Sequence, residues 1–317
     1  MGDFHYIKQY NKKYTKELND SLKIIMPTLI EAFVNVYGNR FREYITYTLN
    51  HLNFIFFIPE RLFQVVLTYS KDIRKHDRYV MEYYLKYLEK LYFINRSISE
   101  EKDIQFLLSK FLLKSPFKAE NFDYTLMDAL ESDCPCFTFG LINDKVSKFV
   151  LLPIFAIDLN TIIHEFNHAL SIDALAIKDD TLITNSLFTD TLTEELVNDY
   201  IAQIVYKEYK RIGGVIPYSL RRFSIINSYQ IDDYIIKYFY DTFKDVILYP
   251  LITKNDRLFY EIVNKEDIEK IYPYIHKLFC EGKDILVYKK LIELINNILG
   301  NIDLEQARRL VRVKNYD

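Results

Sequence analysis

Two of the six histidines in this 317-residue chain, His164 and His168, stand four residues apart in the stretch TIIHEFNHAL, and Glu165 directly follows the first. Residues i and i+4 of an α-helix lie on one face, so both imidazoles would point the same way and reach one ion through their ring nitrogens. Glu165 is turned by one residue step. It can reach the solvent side of such an ion without binding it, where a general base must sit to take a proton from an activated water. These residue types at this spacing read as a metal-dependent hydrolytic site. The competing reading is a chance match on a solvated helix face, which would leave the histidines with no third ligand at suitable spacing.

A catalytic zinc ion takes three protein ligands, so the third decides between the two readings. The metzincin pattern places Gly and a third His at positions that hold Ser171 and Ala174 here. Asp173 follows His168 by five positions, off the ligand face of the same helix. Cys136 would serve in a peptide-deformylase arrangement, but the glycine-rich segment that accompanies it is missing. Downstream, TEELVNDYIAQIVYKEY patterns as a helix carrying Glu194, Glu195 and Asp199. Glu195 and Asp199 are four apart and share a face, which favours Glu195 over Glu194.

With HEFNH on one helix and TEELVND on a second, residues 160–205 resemble the gluzincin metallopeptidases, the thermolysin-like and related clans. The resemblance implies that His164, His168 and Glu195 hold one Zn2+ ion and that Glu165 is the general base. It implies that Asp199 accepts a hydrogen bond from the far nitrogen of a zinc histidine. It further implies a peptide or protein substrate laid in extended form along an edge strand, and an oxyanion donor from the C-terminal part. His276, in YPYIHKLF, is the only histidine after the motif and is the candidate donor; Tyr249, Tyr260, Tyr272, Tyr274, Arg221 and Arg222 stay open. HEFNH lacks the glycine of the HExGH form found in some subfamilies.

The elements that must position these residues are mostly helices. Apolar positions recur at helical spacing over 20–36, 41–57, 60–70 and 78–94. Ser97 and Glu100 are spaced as a capping box, and Ser115-Pro116 ends the helix that follows. CFTFGLI (136–142) and KFVLLPIFAI (148–157) read as a β-hairpin across NDKVS, with Pro153 demoting part of the second strand to an edge or a bulge. Asp158 or Asn160 would cap the histidine helix over 160–173. Further helices are expected over 191–211, stopped by Gly213-Gly214, and over 219–228, 231–244, 265–281, 284–299 and 303–313. The fold class is α+β and predominantly α-helical. A helical N-terminal part (1–118) precedes a zincin-like catalytic part with a C-terminal helical lobe (119–317). A small sheet lies beside the HExxH helix, and the helical parts flank a cleft.

Half of the residues are hydrophobic and 16% are aromatic, a globular composition. The net charge is −3 with both signs interspersed, which gives no basic face for nucleic acid. Cys134, Cys136 and Cys280 are too few for a disulfide framework and fit a reducing compartment. The start, MGDFHYIKQYNKKY, has no apolar signal-peptide core, and no apolar run is long enough to span a bilayer. A cytoplasmic protein is the expectation. The expected function is a zinc metallopeptidase that hydrolyses peptide bonds. The alternative is a zinc-binding regulatory or effector-like protein of the same fold with little general proteolysis.

Overall fold

Helices account for most of the described residues in the computed structural model, which describes residues 3–57, 135–142, 145–153, 157–178, 181–185, 188, 190–220, 248–253, 255–281, 284–303, 305–307 and 309. Helix α1 (Asp3–Tyr37) comes first. Leu18, Leu22, Ile25, Leu29 and Phe33 recur at steps of three and four, and all are buried. The helix stops at Gly38, whose φ of 109° suits a residue without Cβ and whose N–H returns to the Val34 carbonyl at 2.8 Å. Helix α2 (Arg42–Asn50) follows.

Strand β1 (Asn53–Phe57) replaces the end of the helix expected over 41–57. NFIFF is a short aromatic and β-branched run. Such a run suits a strand, and periodicity alone does not tell it from a buried helix turn. Strands β2 (Cys136–Ile142) and β3 (Lys145–Pro153) form the expected antiparallel hairpin, in register from Cys136↔Leu151 to Ile142↔Lys145. Residues 145–147 lie in the strand, so the link is shorter than NDKVS. β1 lies parallel to β3 on its other side, giving the order β1-β3-β2. β3 is therefore the central strand. Phe149, Val150, Leu151 and Leu152 are buried on both faces, which explains their unbroken apolar run. Among the described residues Pro153 pairs with Phe57 of β1 alone, beyond the last β2 partner at Leu151, which is the edge position expected of it.

Helix α3 (Leu159–Ser171) carries the histidines and stops two residues earlier than expected. A hairpin of β4 (Asp173–Lys178) and β5 (Thr181–Asn185), bulged between Ala174 and Ala176, follows where no strands were expected. Helix α4 (Thr191–Arg211) has the expected bounds and stops before Gly213, at φ 86°. Shorter helices among the described residues include α5 (Asp256–Ile262), α6 (Lys265–Glu269), α7 (Tyr272–Glu281) and α8 (Ile285–Gly300). The helix expected over 265–281 is thus two helices. Pro273 sits in the first turn of α7, where its missing N–H breaks no helical bond.

The segments 60–70 and 78–94, the capping box at Ser97 and Glu100, Ser115-Pro116, the boundary near 118 and most of 219–244 and 303–313 lie outside the described residues. One buried cluster runs from Leu29 and Phe33 through Val150 and Phe166 to Ile201. α3 packs on α4, β2 and β3, and α1 packs along α4. The N-terminal part and the catalytic part thus share one sheet and one core. Among the described residues, no helix is long and apolar enough to cross a membrane.

Candidate metal centre

The two helices that carry the candidate ligands begin alike. Asp158 accepts from the N–H of Thr161 at 2.8 Å and from its hydroxyl at 3.0 Å. Asp190 does the same for Thr193, at 2.8 and 2.7 Å. Each Asp-x-x-Thr cap satisfies first-turn donors and fixes where its helix starts. Ile162, Ile163, Phe166, Ala169 and Leu170 are all buried along α3. His164, Glu165 and His168 are buried as well, so the polar face of α3 is covered instead of facing water.

That face meets α4. Nε2 of His164 lies 2.9 Å from Oε2 of Glu195 and 2.9 Å from Nε2 of His168, and His168 Nε2 lies 3.2 Å from the same oxygen. Three potential ligand atoms thus converge on one point. Ligands at about 2.0–2.1 Å from a tetrahedral zinc ion stand roughly 3.3 Å apart, close to this spacing. The chemistry of the set also fits a cation. Two imidazole nitrogens and one carboxylate oxygen are donor types that a divalent cation takes. Glu195 keeps 20% of its side-chain surface open, so the group meets solvent on that side. The buried His164 and His168 and the half-buried Glu195 form a group that could hold a metal ion.

The surrounding charges follow the same logic. Burial disfavours the charged form of His164. The carboxylates of Asp199 and Glu195 beside its two ring nitrogens, with the nearby charge of Glu165, outweigh it and raise its pKa well above that of an ordinary imidazole. Burial alone would raise the Glu195 carboxyl, yet the charges and hydrogen bonds of His168 and His164 hold it well below the usual carboxylate range. Glu165 keeps a raised pKa because burial dominates there. The two imidazoles and the backbone N–H of Phe137 oppose that rise only in part.

Asp199, one turn beyond Glu195, stands behind His164, its Oδ1 2.8 Å from the ring Nδ1. The carboxylate sits off the direction of the ring N–H, so the pair is close but not well aligned. Behind His168 stands a residue that the sequence did not single out: Nδ2 of Asn198 is 2.9 Å from the ring Nδ1. The signal was available, since Asn198 is adjacent to Asp199, but two neighbouring positions on α4 serving two histidines requires the helix packing to be seen. On the strand side, Phe137 of β2 stacks parallel to the His168 ring, centroids 6.5 Å apart.

Glu194 is buried beside Glu195 and is not part of the converging group. His276 also lies apart from that group. Its Nε2 is 2.6 Å from Oδ1 of Asp190, and half of its side chain is exposed. It therefore braces the cap of α4, about one and a half turns before Glu195. Tyr249 packs on Phe41 and under Arg40, and Tyr260 packs on Phe259. Tyr272 and Tyr274 pack against the core, and Arg221 and Arg222 lie outside the described residues. Asp173 pairs with Lys148 at 3.2 Å, and Cys136 donates to the Phe137 carbonyl.

No protein-family model matches the chain, and no curated protein or solved structure matches it either.

Proposed function

We propose that the protein is a zinc-dependent metallopeptidase, with His164, His168 and Glu195 as the metal ligands and Glu165 as the general base. The observation that carries this reading is the convergence of those three side chains beside Glu165, whose carboxyl burial drives upward. A bound zinc ion supplies Lewis acidity, which makes water nucleophilic near neutral pH and polarises a carbonyl.

The chain's own residues supply the rest. Glu165 takes the proton from the attacking water and returns it to the leaving amine, and its raised pKa moves it towards the range where both transfers are efficient. Phe137 holds that carboxylate through its backbone N–H, and the stacked Phe137 ring limits the motion of His168. Asp199 favours the His164 tautomer that presents Nε2 to the ion. The Phe137 N–H points away from β3, so the outer edge of β2 faces Glu165. Among the described residues β2 pairs with β3 alone, and an extended peptide would add beside it as a further strand.

Replacing Glu165 by Gln tests the reading. Peptide cleavage should fall by roughly 10²–10⁴-fold while zinc content stays at the wild-type level. Unchanged cleavage would remove Glu165 from the mechanism. An unchanged biological effect without cleavage would favour the regulatory alternative.

A further inference from the structure

Asn167 lies between the two histidines in sequence yet does not face the ligand group. It is 0% exposed, as is Asn198, and the two side-chain amides hydrogen-bond to each other. Asn167 also bonds the hydroxyl of Tyr37, the last residue of α1. Asn198 in turn reaches Nδ1 of His168 at 2.9 Å. A continuous buried chain of polar groups therefore runs from Tyr37 through Asn167 and Asn198 to His168. Burying two amides costs free energy unless they are paired, and here each is paired on both sides.

In the structure the chain donates from the Tyr37 hydroxyl to Asn167, from the Asn167 amide to Asn198 and from the Asn198 amide to Nδ1 of His168, and ligation of an ion through Nε2 of His168 reverses it. The two ends of an Asn amide are nearly isosteric, so which one faces a neighbour follows from the hydrogen-bond network. A histidine that binds an ion through Nε2 carries its proton on Nδ1, and that N–H must find an acceptor. The group in reach is Asn198, which must then present its carbonyl oxygen to His168. Its NH2 is left to donate to the carbonyl of Asn167. The Asn167 NH2 in turn donates to the Tyr37 oxygen.

We propose that Asn198, Asn167 and Tyr37 form a positioning relay for His168: it holds the Nδ1–H tautomer required for metal ligation and ties the ligand to the end of the N-terminal helix. The proposal rests on the metal-site reading above. It makes α1 part of the site's support and assigns a task to residues that no ligand pattern marks. The relay acts through His168 and touches neither substrate nor ion.

The test uses the full chain, zinc competition against a chromophoric chelator, and nitrogen-15 spectra of protein labelled at histidine. In the zinc-loaded wild type, His168 should show a protonated Nδ1. Asn198→Ala should weaken zinc binding by roughly 10- to 100-fold. Asn198→Asp keeps an acceptor against Nδ1–H and should recover most of that loss. Tyr37→Phe removes the far end of the chain and should weaken zinc by a smaller factor, with the His168 tautomer less well defined. A wild type that binds zinc while Asn198→Ala binds equally well would overturn the relay and leave the metal site standing. So would an Asn198→Asp variant as weak as Asn198→Ala. A wild type that binds no zinc would overturn both.

Discussion

The two histidines of α3 are four residues apart and share a helix, yet their backing differs in kind. His164 rests against the carboxylate of Asp199, while His168 rests against the neutral amide of Asn198, itself backed by Asn167 and Tyr37. The carboxylate side is short and charged. It raises the pKa of His164 and adds negative charge to a group that already holds Glu195 and Glu165. The amide side is uncharged and reaches the first helix of the chain. Charge behind one ligand helps to attract a cation, and a neutral buried chain behind the other fixes orientation without adding repulsion among the carboxylates. The contrast teaches that one pair of helices supplies two different kinds of support from adjacent positions, 198 and 199, of α4.

The largest effect that separates the two sides should come from Asp199→Ala. It removes one partner of a buried pair and should cost about 3 kcal/mol of stability in protein stripped of metal by a chelator, measured by urea denaturation. Asn198→Ala leaves a neutral group short of a partner and should cost less, about 1–3 kcal/mol in the same assay. An Asn198→Ala loss larger than that of Asp199→Ala would invert the comparison.

The helix caps offer the next test. Asp158 and Asp190 make the same pair of bonds, but Asp190 alone also meets a histidine. Replacing either by Ala should cost about 1 kcal/mol, with Asp190 the more costly. Burial would raise the Asp190 carboxyl, but His276 and Thr193 hold it below its ordinary value. A lowered native pKa means that the stabilisation is complete above the ordinary carboxylate pKa, about 4, and is lost as pH falls through the lowered value. Asp190→Asn should therefore flatten that part of the acid limb of the stability curve. The smallest effect should be that of His276→Ala. Its half-exposed ion pair is worth about 0.2–1 kcal/mol, and peptide cleavage should persist. A loss of about 10²–10³ in turnover would instead support His276 as an oxyanion donor.

The histidine and glutamate helices were legible in the sequence because each carries its own period, the first with a capping residue and the second with a Gly-Gly stop. Asp158, Asp190 and Gly213 are local signals. Only the exact end of α3 was missed, since Ile172 and Asp173 continue the apolar–polar pattern. Strand β1 was not legible, because what makes NFIFF a strand is its parallel partner β3, far along the chain. The β4–β5 hairpin carries no Asn-Gly or Asp-Gly turn to announce it. The support of His168 was hidden for the same reason as β1. Tyr37 and Asn167 are 130 positions apart, and nothing local says that they meet.

Metal analysis of the purified full-length chain beside its Glu195→Ala variant tests the central claim most directly. The expected result is one zinc ion per wild-type chain and loss of that ion from the variant on dialysis against a weak chelator. Equal zinc in both proteins, or none in the wild type, would contradict the assignment of His164, His168 and Glu195 as a metal site.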